Sequence, residues 1–174
     1  MREKDLADLQ NFLTELQAET DRGLALVGLA LLDEKLLETL QAFFVDGKSS
    51  TRLLTDPNAP LGTLSARIEA CAALGLITPD EHQEIGLLRR IRNEFAHKRH
   101  GLDFNSPKVA GLCTSLKSNL PMDDARLASN RFRFINATVL LTLSLFYRAE
   151  WVAKEKRAPK IWGDPEMSDW RTKD

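Results

Sequence analysis

The stretch "TPDEHQEIGLLRRIRNEFAHKRH", residues 78–100, decides how the rest of the chain is read. Thr78 can cap a helix, Pro79 suits the first helical position, where no backbone donor is needed, and Glu81 three residues after Thr78 completes a capping box. Ile85, Leu88, Ile91 and Phe95 then recur at three- and four-residue intervals. That spacing predicts a helix from Thr78 to about His97 with one face in a core.

The same period governs the flanking sequence. Leu6, Leu9, Phe12, Leu13 and Leu16 mark an amphipathic first helix ending near Asp21 and Gly23. A longer second helix is expected from Leu24 to Val45, apolar all round in "LALVGLALL" and amphipathic after it through Leu36, Leu37, Leu40, Phe43 and Phe44. The Gly-, Pro- and Ser-rich run 46–62 reads as a long loop with a short turn around Thr51 to Leu54. A third helix fits "TLSARIEACAAL", with Leu64, Ile68, Cys71 and Leu74 inward and Gly75 placed for a left-handed end. Ser106 and Pro107 start a fifth, with Val109, Leu112 and Leu116 inward. A last long helix is expected from Ala125 to Ala153, with Phe132, Ile135, Val139, Leu143, Phe146 and Val152 toward the core. No segment alternates at period two, so the expected fold is all-α, a single-domain bundle of five to seven helices over residues 1–153. Residues 154–174 read as an irregular tail whose Trp162 and Trp170 would wrap the bundle or meet a partner.

Composition narrows the function classes. Lys plus Arg number 24 against 25 Asp plus Glu, so no whole-surface attraction to nucleic acid or membrane is expected, and any anion site is local. Cys71 and Cys113 lack metal-ligand neighbours and read as small buried hydrophobes. The N-terminus has no apolar signal core, and the longest apolar runs, "GLALVGLALL" and "INATVLLTLSLFY", fall short of the roughly 20 residues a membrane helix needs. A cytoplasmic protein without a membrane partner is expected. No cofactor or metal is indicated: the acids of "DEHQE" sit in a first helical turn, where acids are favoured anyway, and phosphate-loop and nucleophile-elbow patterns are lacking. A helix-turn-helix across "AALGLITPDEHQEIGLLRRIRN" is disfavoured by the wide apolar stripe and by cations gathered at the helix's C-terminal end.

The end of the Thr78–His97 helix carries the candidate chemistry. At 100° per residue, Asn93 and His97 lie about 40° apart on one face, whereas Arg92 and His97 lie about 140° apart and converge only if the Arg reaches round. Such a set could act on a phosphodiester: His97 exchanging a proton, Arg92 stabilising phosphorane charge, Asn93 orienting either. Residues 89–100 hold five Lys or Arg against one Glu, and Arg89, Arg90, Lys98, Arg99 and His100 would form a local surface for nucleic acid or a partner. Structural capping explains the same residues, since His97, Lys98 and Arg99 all gain from the helix dipole. Both readings stand on the sequence.

The block "APLGTLSARIEACAALGLITPDEHQEIGLLRRIRNEFAH" together with "GLALLDEKLLETL" resembles the mannitol operon repressor family of bacteria. The resemblance implies a cytoplasmic all-α transcriptional regulator that lacks an obvious DNA-binding motif and acts through a protein partner of the transcription complex or on nucleic acid. "RNEFAH" is also similar to the Arg, polar residue, three further residues, His motif of the HEPN superfamily. That similarity implies a HEPN-like bundle and a homodimer in which Arg92, Asn93 and His97 of two protomers meet, either to cleave RNA without metal or to bind it.

Overall fold

The computed structural model describes residues 2–98, 100–117 and 124–160. Among them every regular element is helical, as the periodicity predicts: α1 (Glu3–Ala18), α2 (Asp21–Phe43), α3 (Lys48–Leu54), α4 (Leu64–Ala73), α5 (Pro79–His97), α6 (Pro107–Thr114), α7 (Asn130–Leu145) and the short α8 (Arg148–Ala153), with one 3-10 turn at Ala125–Ala128. Arg99, residues 118–123 and residues 161–174, with Trp162 and Trp170, lie outside the described residues, as does the Leu6 side chain.

Helix α2 is the axle of the bundle. Leu24, Leu32, Leu36 and Leu40 have no exposure and Leu29 is 1% exposed, and α4, α5, α7 and α8 all pack around them. Each such leucine contributes roughly 1.5–3 kcal/mol of burial. Gly28 sits where α2 meets α7: a Cβ there would stand 3.3 Å from Thr138 Cγ2 and 3.6 Å from the Phe134 ring. The long loop after α2 is more ordered than its composition suggests, because Leu54 is buried and pulls residues 48–54 into α3. Arg67 then closes the loop from α4, donating to Leu61 O (3.0 Å) and Leu54 O (3.5 Å) while pairing with Asp33 of α2 at 2.8 Å.

Helix α4 ends as expected: Gly75 has φ +70°, and Leu76 N donates to Cys71 O at 2.8 Å. Leu74 departs from the reading, being 39% exposed one residue beyond the helix. The last long helix departs further. It breaks at Phe146–Tyr147 into α7 and α8, with the 3-10 turn standing apart at its start. The buried face of α7 is Phe134, Ala137, Thr138, Leu141, Thr142 and Leu145, whereas Leu143 is 39% exposed. Apolar residues occur on more than one side of this helix, and its inward face is shared by large side chains, Phe134, Leu141 and Leu145, and small ones, Ala137, Thr138 and Thr142, while Phe132, Ile135 and Val139 are half-buried.

The C-terminal end of α5 is held from three sides. Phe95 has no exposure and stacks on Phe104, which stacks on Phe134 of α7, with ring centroids 5.0 Å and 5.2 Å apart. Phe104 N donates to Asp21 at the start of α2 (3.2 Å), and Arg22 donates to the Lys98 carbonyl just beyond α5. The polar residues around Asn93 therefore stand on a fixed platform.

Candidate functional site

Helix α5 starts as its sequence predicts. Thr78 Oγ1 accepts from Glu81 N at 3.2 Å, and Glu81 Oε2 accepts from Thr78 N at 2.8 Å. Ile85, Leu88, Ile91 and Phe95 all have no exposure, which leaves the opposite face of α5 to solvent. On its polar edge Arg92 Nη1 donates to Asn93 Oδ1 at 3.2 Å, and both side chains are half-buried. His97 is exposed and makes no hydrogen bond to either of them. The geometry within one chain thus joins Arg92 to Asn93 and keeps His97 nearby on the helix but unengaged, as the 140° separation predicts.

The surrounding cations divide into two groups. Arg89 is half-buried, and Arg90, Lys98 and His100 are exposed; none of their side chains has a hydrogen-bond or ion-pair partner among the described residues. Glu94 is taken by Lys108 of α6 at 2.7 Å, so it does not neutralise Arg89 or Arg90. An edge of uncommitted positive charge remains beside Arg92, able to meet phosphate or carboxylate groups.

Several charged groups with structural consequence escaped the sequence reading. Arg148 of α8 grips Glu81 of α5 through two contacts, 2.8 Å and 3.2 Å, and donates to Leu76 O at 2.6 Å, while Ser144 donates to Glu81 as well. Burial pushes the Glu81 carboxyl up, but the bonds from Arg148, Ser144 and the Thr78 backbone, with the Arg148 charge, pull it below the usual carboxylate value overall. Arg131 of α7 pairs with Asp21 at 2.5 Å and bonds the carbonyls of Gln17 and Glu19 at 3.0 Å and 2.7 Å, tying the α1–α2 corner to α7.

Glu84 is only 7% exposed. Its Oε2 accepts from Lys117 N at 3.1 Å, and its Oε1 has no partner. Burial dominates here and pushes its carboxyl up, against the opposing bond and charge of Lys117. A signal for Glu84 was present in the sequence: it stands four, seven and eleven residues before Leu88, Ile91 and Phe95, an acid on the core stripe. Cys71 and Cys113 are buried free thiols, as expected, each pushed by burial to about 12.

Comparison with known proteins places this geometry. The chain matches the family model described as Mannitol repressor over residues 10–140. The mannitol operon repressor of Escherichia coli K12 and that of Escherichia coli O6:H1 are each 29% identical to it over 122 residues, 61% of this chain. The match spans 63% of the length of those curated relatives. Among solved structures, a chain of the X-ray structure of the MtlR–HPr complex from Escherichia coli superposes with a TM-score of 0.53 at 26% identity, covering 83% of this chain and 97% of that one. With three-quarters of the chain inside the family match and the helical architecture shared, this protein belongs to the mannitol repressor family.

Proposed function

We propose that the chain is a bacterial transcriptional regulator of the mannitol-operon type, working in the cytoplasm by engaging a protein partner. The observation that carries this reading is the structural likeness to a relative solved in complex with HPr, across nearly that relative's whole length. Two features of this chain support it. No helix among the described residues is long and apolar enough to cross a membrane. The candidate for a groove-reading element, α5, spends Ile85, Leu88, Ile91 and Phe95 on the core and carries its free cations at the wrong end for major-groove entry. The edge formed by Arg89, Arg90, Lys98 and His100, with Arg99 beside it in sequence, is the contact surface for an acidic partner or a nucleic-acid backbone. A gel shift on mannitol-operator DNA, with and without the HPr of the same bacterium, tests the reading. Direct, sequence-specific binding by the chain alone would replace partner-mediated action.

The Arg92–Asn93 hydrogen bond beside an exposed His97 favours one second reading: a HEPN-type, metal-independent endoribonuclease or RNA-binding module that is completed when two protomers face each other. In that assembly His97 serves as the proton-transfer group, Arg92 as the phosphate stabiliser and Asn93 as the orienter. RNA incubated with the dimer in chelator must then yield cyclic-phosphate ends, with loss of cleavage in His97→Ala. Absence of His97-dependent product excludes catalysis.

A further inference from the structure

Away from the cationic edge, one face of the bundle carries aromatic surface that the core does not use. A cavity of about 470 Å³ opens between the outer half of α1, the middle of α2 and the start of α8, with Phe12, Leu31, Phe146 and Tyr147 half-buried in its walls. A neighbouring cavity of about 460 Å³ shares Arg2, Tyr147 and Glu150 with it and continues the groove to Trp151, which is 65% exposed. The outer end of α1 bridges the groove through polar links: Arg2 pairs with Glu150 at 2.5 Å, and Tyr147 donates to Asp5 at 2.8 Å. The charges around the larger cavity are mostly acidic, Asp5, Glu34, Glu38 and Glu150 against Arg2 and Lys35. Glu34 is exposed and has no hydrogen-bond or ion-pair partner among the described residues.

We propose that this groove is the seat of the chain's own C-terminal segment, with the indole of Trp162 inserted beside Phe12, Leu31 and Phe146. Reach favours that occupant. Lys154 lines the neighbouring cavity, and Lys156 pairs with Asp46 at 2.6 Å, so the chain leaves α8 alongside the end of α2. Glu38 in the groove wall is only about one and a half turns from that end. Trp162 follows Lys156 by six residues, a span of up to about 20 Å, which is enough to turn back into the groove. Charge favours it as well. The approach to Trp162 carries Lys154, Lys156, Arg157 and Lys160 against Glu155, opposite in sign to the groove. Asp164, Glu166 and Asp169, which follow Trp162 and precede Trp170, are repelled by the same wall, so Trp162 rather than Trp170 is the insert. The chemistry of an indole completes the fit: its ring meets aromatic and leucine walls, and its N–H has an acceptor in the Glu34 carboxylate. Because the segment is tethered, its effective concentration at the groove is about millimolar, and a weak local affinity suffices to fill it. Seated there, the segment shields the groove and pins α1 to α8.

The test uses the full chain with 5-fluorotryptophan at its three tryptophans, each fluorine resonance assigned by its loss in Trp151→Phe, Trp162→Phe or Trp170→Phe. A soluble paramagnetic agent then reports the exposure of each ring. Relaxation of the Trp162 fluorine is expected to be at least about threefold slower than that of free 5-fluorotryptophan, as for a ring docked about two-thirds of the time or more. Ala149→Phe, which fills the cavity from α8, is expected to abolish that protection. A second measurement needs no change in the bundle: Trp162→Ala is expected to shift the amides of Phe12, Leu31 and Ala149, and Trp170→Ala to leave them in place. Protection of Trp162 smaller than threefold (about the least that a mostly docked ring gives), protection that survives Ala149→Phe, or wall amides indifferent to Trp162→Ala would overturn the proposal. Protection that grows with protein concentration would overturn it too, by assigning the groove to the segment of a second copy. Neither DNA nor a protein partner enters these measurements, so their outcome is independent of the regulator reading.

Discussion

Two glutamates three residues apart on α5 respond to pH in opposite directions. Glu81, held by Arg148, Ser144 and its own cap, keeps its proton less readily when folded than when unfolded. Its contribution is therefore fully present above the unfolded glutamate value of about 4.3 and is lost as pH falls through the depressed folded value. Glu84, buried with one oxygen idle, binds its proton more readily when folded. Its effect is a fall in stability as pH rises from about 4.3 through its raised folded value. Denaturation followed over a pH series on both sides of about 4.3, the unfolded glutamate value, is expected to lose the slope below it in Glu81→Gln and the slope above it in Glu84→Gln. Arg148→Ala, which leaves a largely buried carboxylate without its counter-charge and frees Leu76 O, is expected to cost about 1–3 kcal/mol by urea denaturation. A loss within 0.5 kcal/mol, roughly what an ordinary surface substitution shows, would mean the Arg148–Glu81 contact is ornamental.

At the scale of elements, the sequence was most legible where one local signal and one periodic signal agreed. Helix α5 has a capping box, a proline at its first position and a single apolar stripe, and the structure reproduces all three. Gly75 likewise ended α4 where its φ of +70° is required. Helix α7 was legible as a helix but not in orientation, because its apolar residues fall on more than one side, and its inward face meets α2 closely at Gly28. Helix α3 was legible only in part, as the short turn around Thr51 to Leu54: its full extent from Lys48 depends on Leu54 and on Arg67 arriving from α4, which a local window does not contain. The contacts at the α2–α7 crossing have measurable consequences. Gly28→Leu is expected to destabilise the chain by about 1–3 kcal/mol through overpacking against Thr138 and Phe134. Thr138→Val, which removes a buried hydroxyl lacking any partner, is expected to raise stability by about 1 kcal/mol. Thermal denaturation distinguishes the two signs.

At the scale of the whole molecule, the bundle is a rigid platform that presents an uncommitted cationic edge at one end of α5 and an aromatic-walled groove between α1, α2 and α8. The candidate residues of the edge were legible in sequence because charge clustering needs no tertiary information. Their state of engagement was not: Glu94 proved to belong to Lys108, and Arg92 to Asn93. Whether partner engagement is the working mode is decided most directly by calorimetric titration of the purified chain with the HPr of its own bacterium, set beside a gel shift of the chain alone on operator DNA. The account predicts saturable binding to HPr and no sequence-specific shift by the chain alone. Absence of HPr binding together with a specific shift of operator DNA by the isolated chain would contradict it.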